Sequence, residues 1–225
     1  DLDSFKNALD KIKSFSDDAV ISLSVRNEPA LHSRVGDFAA AVLDYKKFSL
    51  LIETSGLRWH AEALERICSL DQSRITWIVD LDAYDRNLYA ALRGGSPSDY
   101  DTAFGFAEKM IQRFPENVYV QAVRMKENEV DTEQFYKYWK EKSNNVIIQK
   151  YDWCCGLLEQ RKVTDLSPLE RLPCWHLKRE LTVRTDGTVP LCRDDLENER
   201  ICGNIFNDEL SVIWNNDGMY YKQHM

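Results

Sequence analysis

The stretch Phe48-Ser49-Leu50-Leu51-Ile52-Glu53-Thr54-Ser55-Gly56 combines an apolar run with an abrupt polar end. A short apolar run that ends in turn-forming residues predicts a buried strand. Four further runs of this kind occur along the chain, at residues 19–25, 75–79, 118–123 and 146–150, and helical patterns lie between them. Regular alternation of strands and helices predicts parallel βαβ units, in a barrel or an open sheet.

The composition excludes several classes of protein. The chain has 225 residues, 44% of them hydrophobic, and its 37 acidic and 29 basic side chains give a formal net charge of −8. This is an ordinary globular composition with no apolar run long enough to span a membrane. The acidic balance disfavours a general nucleic-acid or anionic-lipid surface. We therefore predict a cytoplasmic protein with neither nucleic acid nor membrane as a partner.

Two helices have clear sequence signals. Residues 101–114 place Ala103, Phe104, Ala107, Met110, Ile111 and Phe114 on one stripe, which predicts an amphipathic helix ended by Pro115. Asp131 and Gln134 have the spacing of a capping box, which predicts that a helix running through Trp139 begins there.

The alternation stops after residue 150, and the last part of the chain contains five of the six cysteines. Residues 181–184 and 189–191 flank Asp186-Gly187, a pair that favours the positive φ angles of tight turns, so a β-hairpin is predicted. We predict a barrel-type domain over residues 1–152 and a smaller domain over residues 153–225. The barrel would have about five parallel strands with helices.

Ligands bind at the carboxyl ends of parallel strands, and every predicted strand ends in polar residues. Arg26-Asn27-Glu28-Pro29 follows the first strand, and Glu53-Thr54-Ser55-Gly56 follows the second. Asp80 and Asp82 end the third, and Arg124 ends the fourth. Strand ends also face water in many proteins, so the pattern by itself leaves open whether these residues form a site.

The strand ends resemble those of the radical S-adenosylmethionine enzymes, whose catalytic domain is a partial (β/α) barrel. Asn27-Glu28-Pro29 is similar to the end of that family's Gly-Gly-Glu-Pro motif, Thr54-Ser55-Gly56 to its Thr-Asn-Gly, and Asp80-Leu81-Asp82 to its Ser-x-Asp. The resemblance implies that Glu28 accepts the ammonium group of S-adenosylmethionine and that Arg124 faces its carboxylate. The implied cofactor-binding residues are Asn27, Glu28, Thr54, Asp80 and Arg124.

The C-terminal part resembles the SPASM and Twitch auxiliary-cluster domains. Cys174, Gly187 and Cys192 have the spacing of their opening motif, and Gly203-Asn204-Ile205 and Ile213-Trp214 also match. The resemblance implies that Cys174 and Cys192, with Cys202 as a further candidate, are ligands of a [4Fe–4S] cluster, which requires soft thiolates. A zinc site that includes His176 is an alternative, although His176 also fits a surface histidine.

Two departures limit what carries over from these families. The hallmark Cys-x3-Cys-x2-Cys motif is absent from the 225 residues, and the Cys-x2-Cys-rich run of a complete SPASM domain is absent as well. The chain begins with Asp1 and ends abruptly at Met225, so the expectation is a fragment that does not itself perform radical chemistry.

For the parent protein, the resemblance implies reductive cleavage of S-adenosylmethionine to a 5′-deoxyadenosyl radical. The radical would then modify a peptide, protein or small-molecule substrate, with an electron donor as a further partner. One alternative is a non-catalytic barrel that binds a partner and carries a zinc- or cluster-stabilised appendage. Another is an ordinary barrel enzyme that uses Glu28, Glu53, Asp80 or Asp82 as acid and base.

Overall fold

Five parallel strands form one sheet in the order β1-β2-β3-β4-β5, so each strand pairs with its neighbours in sequence. The strands are β1 (Ala19–Ser22), β2 (Phe48–Thr54), β3 (Ile75–Asp80), β4 (Val118–Arg124) and β5 (Val146–Lys150). The computed structural model describes residues 1–164, 170 and 174–223, apart from the side chains of Cys155 and Gln223. The predicted partial barrel of parallel strands is confirmed.

Helices connect the strands. They are α2 (Val35–Leu43), α3 (Ala61–Cys68), α4 (Arg86–Arg93), α5 (Pro97–Arg113) and α6 (Glu129–Lys142), preceded in the chain by α1 (Leu2–Phe15). The helix predicted at residues 101–114 is part of α5, whose Pro97 at the first turn and Ser96 cap fix its start. Short 3-10 turns cover Pro29–Leu31, Gln72–Arg74 and Cys154–Gly156.

The strands bury one face and leave the other partly open. In β2 the buried residues alternate strictly with half-buried ones, and Phe48, Leu50, Ile52 and Thr54 lie on the buried face. β3 alternates in the same way, with Ile75, Trp77 and Val79 buried. The half-buried face of these strands, which bears Glu53 and Asp80, is partly open to a ligand.

The chain divides into two compact units. The barrel unit comprises Asp18–Tyr151 and Arg161–Val163, and the C-terminal unit comprises Asp1–Asp17, Asp152–Gln160 and Thr164–Met225. The sequence division at residue 152, which stays a prediction, assigned residues 1–17 to the barrel. In the structure Ala8 of α1 lies in the core of the C-terminal unit, and Lys11 donates to the carbonyl oxygen of Ile205 at 2.7 Å.

The C-terminal unit also contains α7 (His176–Arg179), β6 (Thr188–Pro190), β7 (Ile201–Asn204) and α8 (Leu210–Gln223). β6 and β7 pair in an antiparallel sheet with an irregularity between Val189 and Pro190. The small antiparallel sheet is therefore as predicted, but its partners differ, since residues 181–184 are not a strand. The Asp186-Gly187 turn instead joins this segment to β6, and the Arg184 amide donates to the Thr188 carbonyl at 2.9 Å.

The predicted capping box is wrong. Helix α6 begins one turn earlier than expected, with Asn128 at its N-cap, so Asp131 lies inside its first turn. The Asp131 carboxylate accepts hydrogen bonds from the backbone amides of Tyr84 and Asp85, at 2.6 and 2.9 Å. A tertiary contact therefore uses the side chain that the sequence pattern assigned to a local cap.

Candidate functional site

The carboxylate of Glu28 connects the segment after β1 to the end of β2. One oxygen, Oε1, accepts hydrogen bonds from the Thr54 hydroxyl at 2.5 Å and from the Ala30 amide at 3.3 Å. The other, Oε2, accepts from the amide and the hydroxyl of Ser55, at 2.7 and 2.6 Å. The structure thus brings together the predicted residues Glu28 and Thr54, and it adds Ser55, to which the sequence analysis gave no role.

All of the acceptor capacity of Glu28 is in use. An ionised carboxylate has about four lone-pair sites, and four protein donors fill them here. Thr54 in turn accepts from the indole nitrogen of Trp59 and from the amide of Gly56, both at 3.1 Å. An ammonium group could therefore reach Glu28 only where a hydroxyl of Thr54 or Ser55 rotates away.

Asp80 is part of a polar network on the open face of the sheet. The side-chain amide of Gln121 on β4 donates to Asp80 at 2.7 Å and to Glu53 on β2 at 3.2 Å. Burial, followed by the negative charge of Glu53, raises the pKa of Asp80 to about 8. At neutral pH this aspartate is therefore mainly protonated, which makes it a hydrogen-bond donor as well as an acceptor.

Asp82 forms a second buried connection at the end of β3. Its carboxylate is paired with Arg93 of α4 at 2.8 Å and accepts from the amide of Val123 at 2.9 Å. Asn128 donates to the Asp82 carbonyl oxygen at 2.7 Å. Asp82 adopts a positive φ of 64°, a conformation that side chains other than Gly, Asn and Asp rarely take. These contacts fix the Ser-x-Asp-like segment rather than leave Asp82 available as an acid or base.

The two remaining predicted cofactor-binding residues lie apart from this network. Arg124 follows the buried positions of β4 by strand alternation, and its guanidinium is paired with Glu129 of α6 at 2.6 Å. Asn27 is exposed. Strand parity thus separates Arg124 from Asp80, which the sequence order alone had grouped together.

A cavity of about 330 Å³ lies beside the Glu28 network. Glu28 and Ser55 line one side of it, and Tyr89, Arg93 and Asp99 line another. Arg58, whose φ is 62°, also lines the cavity. Leu31 and Leu57 add apolar surface to the lining. A cavity that combines charged and apolar walls fits a small molecule with both kinds of group, which is the class to which S-adenosylmethionine belongs.

The three predicted metal ligands differ in exposure. Cys174 is exposed, Cys192 is half-buried and Cys202 is buried. Cys202 belongs to the core of the C-terminal unit, with Val189, Ile205 and Ile213. Burial, and after it the negative charge of Asp217, raises the pKa of the Cys202 thiol to about 11, so this cysteine is protonated until a metal displaces the proton.

Several buried polar atoms near these cysteines have no hydrogen-bond partner among the described residues. They are both carboxylate oxygens of Asp217, the Nε of Arg184 and the Oδ1 of Asn198. Buried polar groups of native proteins are nearly always paired, and exceptions point to a missing ion or ligand. Iron–sulfur clusters are held chiefly by thiolates. Cys174, Cys192 and Cys202, together with the unpaired carboxylate of Asp217, offer ligand atoms of the kind that such a cluster needs, so the residues present fit this group.

A further group of ligand-type atoms occurs in the C-terminal unit. The ligand atoms of Asp152, Cys154 and Asp194 lie within 4.8 Å of one another. Cys154 has a positive φ of 49°, and its amide donates to Asp152 at 2.8 Å. The sequence analysis assigned no role to Cys154, because Asp194 comes close to it only in the folded chain.

Comparison with known proteins identifies the C-terminal part. Residues 174–223 match the SPASM iron–sulfur cluster-binding domain. A protein of Treponema pallidum (strain Nichols), described as uncharacterized, is 42% identical over 225 residues. The match covers 96% of this chain and 63% of that relative, so the chain spans less than two thirds of the relative's length.

Solved structures of radical SAM enzymes share the fold of this chain. The structure of native anSMEcpe with bound AdoMet has a TM-score of 0.66 and 12% identity, and the match covers 99% of this chain and 74% of that one. For Streptococcus suis SuiB bound to S-adenosylmethionine, the TM-score is 0.64 and the sequence identity is 14%. The match covers 97% of this chain and 58% of that one. For BtrN in complex with AdoMet and 2-DOIA, the TM-score is 0.61 and the sequence identity is 17%. The match covers 100% of this chain and 74% of that one. The predicted resemblance to radical SAM enzymes with a SPASM domain is confirmed at the level of fold.

Among the described residues, no helix is both long enough and apolar enough to cross a membrane.

Proposed function

We propose that this chain is part of a radical SAM/SPASM enzyme, which holds S-adenosylmethionine at the carboxyl ends of β1–β4 and an auxiliary iron–sulfur cluster in its C-terminal unit. The observation that carries the proposal is the coincidence of a SPASM match over residues 174–223 with a radical SAM barrel fold over the chain. A barrel fold alone would fit many chemistries, and the cluster-binding segment restricts the choice.

On this proposal, the barrel residues bind and orient the cofactor. Glu28 accepts the ammonium group of S-adenosylmethionine once a hydroxyl of Thr54 or Ser55 rotates aside, while the Ser55 amide continues to hold the carboxylate in place. Asp80, protonated at neutral pH, donates to a cofactor oxygen, and Asn27 contributes from the exposed rim. Arg124 attracts the cofactor carboxylate in competition with Glu129.

Cys174, Cys192 and Cys202 would hold the [4Fe–4S] cluster, which supplies electron transfer or a substrate anchor when bound. In the whole protein, bound S-adenosylmethionine would supply radical chemistry through reductive cleavage to a 5′-deoxyadenosyl radical, with electrons from an external donor. The 225 residues by themselves contain no Cys-x3-Cys-x2-Cys motif for the cluster that cleaves the cofactor, so we expect them to bind but not to react.

The substrate is proposed as a peptide, a protein or a polar small molecule in the cytoplasm. Among the similar structures, anSMEcpe is solved with AdoMet and a Kp18Cys peptide, and BtrN with AdoMet and 2-DOIA. The open face of the sheet, with Glu53, Asp80 and Gln121, would meet such a substrate.

Titration of the purified chain with S-adenosylmethionine tests the cofactor site. Binding that Glu28→Gln weakens about tenfold would support it, since losing a charged hydrogen bond costs roughly 1.5–3 kcal/mol. Glu127→Gln, at an acidic residue outside the cavity lining, is the control and should bind like the wild type. No measurable binding by the wild type would contradict this part of the proposal.

Anaerobic reconstitution with iron and sulfide tests the cluster site. We expect visible charge-transfer absorbance in the wild type and its loss in Cys192→Ala, with Cys68→Ala, a core thiol of the barrel unit, as the control. Formation of 5′-deoxyadenosine by the whole protein after reduction tests the radical chemistry itself.

One observation favours a second candidate, the non-catalytic barrel that binds a partner. The four donors on Glu28 and the ion pair of Arg124 leave both predicted cofactor contacts engaged within the protein. A chain that binds iron but not S-adenosylmethionine would support this candidate.

A further inference from the structure

Asp217 has a buried carboxylate, and no hydrogen bond or ion pair from the described residues compensates its negative charge. The residue is 1% exposed, and neither carboxylate oxygen has a hydrogen-bond partner. Removing an ionised carboxylate from water without a partner is one of the most costly arrangements in a protein interior. Such a group is retained where a cation occupies the site during function.

The fold of the C-terminal unit places Asp217 near Cys202. Asp217 lies one helical turn after Ile213 on α8, and Ile213 packs in the same core as Cys202. The neighbouring Asn216 donates to the carbonyl oxygen of Cys202 at 2.9 Å, which fixes this turn of the helix against β7. The negative charges that act on the Cys202 thiol come from Asp217, Asp195 and Cys192, with Asp217 the strongest.

We propose that Asp217 is an oxygen ligand of the auxiliary iron–sulfur cluster and shares it with Cys192 and Cys202. This inference rests on the proposed function, since it requires that a cluster binds in the C-terminal unit. Two thiolates and a carboxylate form a mixed sulfur–oxygen ligand set for iron, and binding of the metal cation would neutralise the buried charge. The cysteine motif does not predict this role, because Asp217 lies outside it.

The test uses the full chain after anaerobic reconstitution with ferrous iron and sulfide. Asp217→Asn keeps the shape and removes the charge, Asp217→Cys supplies a thiolate instead, and Glu209→Gln removes an exposed acid beside the same helix. The measurements are bound iron and sulfide, the rate of iron loss to a chelator, the electron paramagnetic resonance spectrum and the reduction midpoint. We expect Asp217→Asn to lose iron at least tenfold faster, since changes even beyond the metal ligands cost 10–100-fold in affinity.

A thiolate is a better iron ligand than a carboxylate, so Asp217→Cys should retain the cluster with a changed spectrum, and Glu209→Gln should match the wild type. Thermal melts of the iron-free proteins exclude a folding defect, because Asp217→Asn removes a buried charge and should melt no lower than the wild type. If Asp217→Asn itself fails to fold, the spectrum of Asp217→Cys decides, and a wild-type spectrum overturns the inference.

The outcomes separate the two proposals. If the wild type binds a cluster and both Asp217 variants match it in spectrum, midpoint and iron loss, the ligand role is wrong while the auxiliary cluster stands. If the wild type binds no cluster, the auxiliary-cluster proposal fails and the role of Asp217 fails with it.

Discussion

Glu28 in the barrel unit and Asp217 in the C-terminal unit are both carboxylates placed in the interior of their own unit, but their surroundings are opposite. Glu28 receives four hydrogen bonds from its neighbours, whereas the oxygens of Asp217 receive none among the described residues. Asp82 of the barrel unit is likewise paired with Arg93 and the Val123 amide. The barrel unit completes the pairing of these carboxylates with its own groups.

The apolar cores of the two units also differ, and the core of the barrel unit is the larger one. The barrel unit buries large side chains such as Trp77, Trp139 and Phe48, while the C-terminal unit is built on a small cluster around Val189, Cys202 and Ile213. Hydrophobic burial grows with domain size, and small units commonly depend on metals or disulfides. If the proposed cluster binds, we therefore expect it to contribute more to the stability of the C-terminal unit than to that of the barrel unit.

The largest expected effect is the removal of a barrel core side chain. Trp77 is fully buried, so Trp77→Ala should lower the free energy of unfolding of the barrel unit by about 3–5 kcal/mol. Trp175, which is 57% exposed, gives the matched control, and Trp175→Ala should change stability by less than about 1 kcal/mol. Urea denaturation followed by circular dichroism measures the free energy of unfolding of both variants. If both substitutions lowered it equally, burial of Trp77 would not be what stabilises the barrel unit.

The turn before β6 should be the most sensitive backbone position of the C-terminal unit. Gly187 has a φ of 82°, and the Phe206 ring and the Asn204 side chain occupy the space that a Cβ would need. We expect Gly187→Ala to destabilise the C-terminal unit by roughly 2–3 kcal/mol. Gly105 lies in α5 with nothing within 4 Å, so Gly105→Ala should be neutral or stabilising by about 0.5–1 kcal/mol. Hydrogen exchange resolved by peptide assigns each change to its unit.

The open face of the barrel unit should show a pH-dependent stability that Asp80 causes. Glu53, Asp82, Arg93 and Gln121 surround Asp80, and its pKa rises from 3.8 to about 8, so the folded state holds a proton that the unfolded state releases. Stability should therefore fall as pH rises from about 4 to about 8.

Asp80→Asn keeps the acceptor for Gln121 and removes the charge, so it should flatten this slope, and its stability relative to the wild type should be higher at pH 8 than at pH 5. Thermal melts at pH 5, 6.5 and 8 measure the slope. A variant with the wild-type slope would show that another group causes it.

The smallest effect concerns the hydrogen bonds to Glu28. Thr54→Val removes the hydroxyl that donates to Glu28 and accepts from Trp59, at the cost of about 1–2 kcal/mol. Thr54→Ser keeps the hydroxyl and serves as the control. If Thr54→Val is as stable as the wild type, the pairing of Glu28 contributes less to the barrel unit than its geometry indicates.

Much of the fold was predictable because it depends on local pattern. The five strands follow from apolar runs with polar ends, and the C-terminal assignment follows from the spacing of Cys174, Gly187 and Cys192. The strand pairing of the small sheet was not predictable, since Ile201–Asn204 pairs with β6 across an intervening loop. The role of Asp131 was missed for a similar reason, because its partners Tyr84 and Asp85 are 46 or more positions away.

The sequence by itself therefore determined the parallel barrel, the cluster-binding segment and the polar strand ends at which a site could form. Only the tertiary structure decided which of these polar groups meet. It joined Glu28 to Thr54 and Ser55, grouped Asp80 with Glu53 and Gln121, and turned Arg124 towards Glu129. It also buried Asp217 close enough to Cys202 for the charge of the carboxylate to act on the thiol. The physical reason is that apolar patterns act over a few residues, whereas the partner of a buried polar group is set by strand register and helix packing across the whole unit.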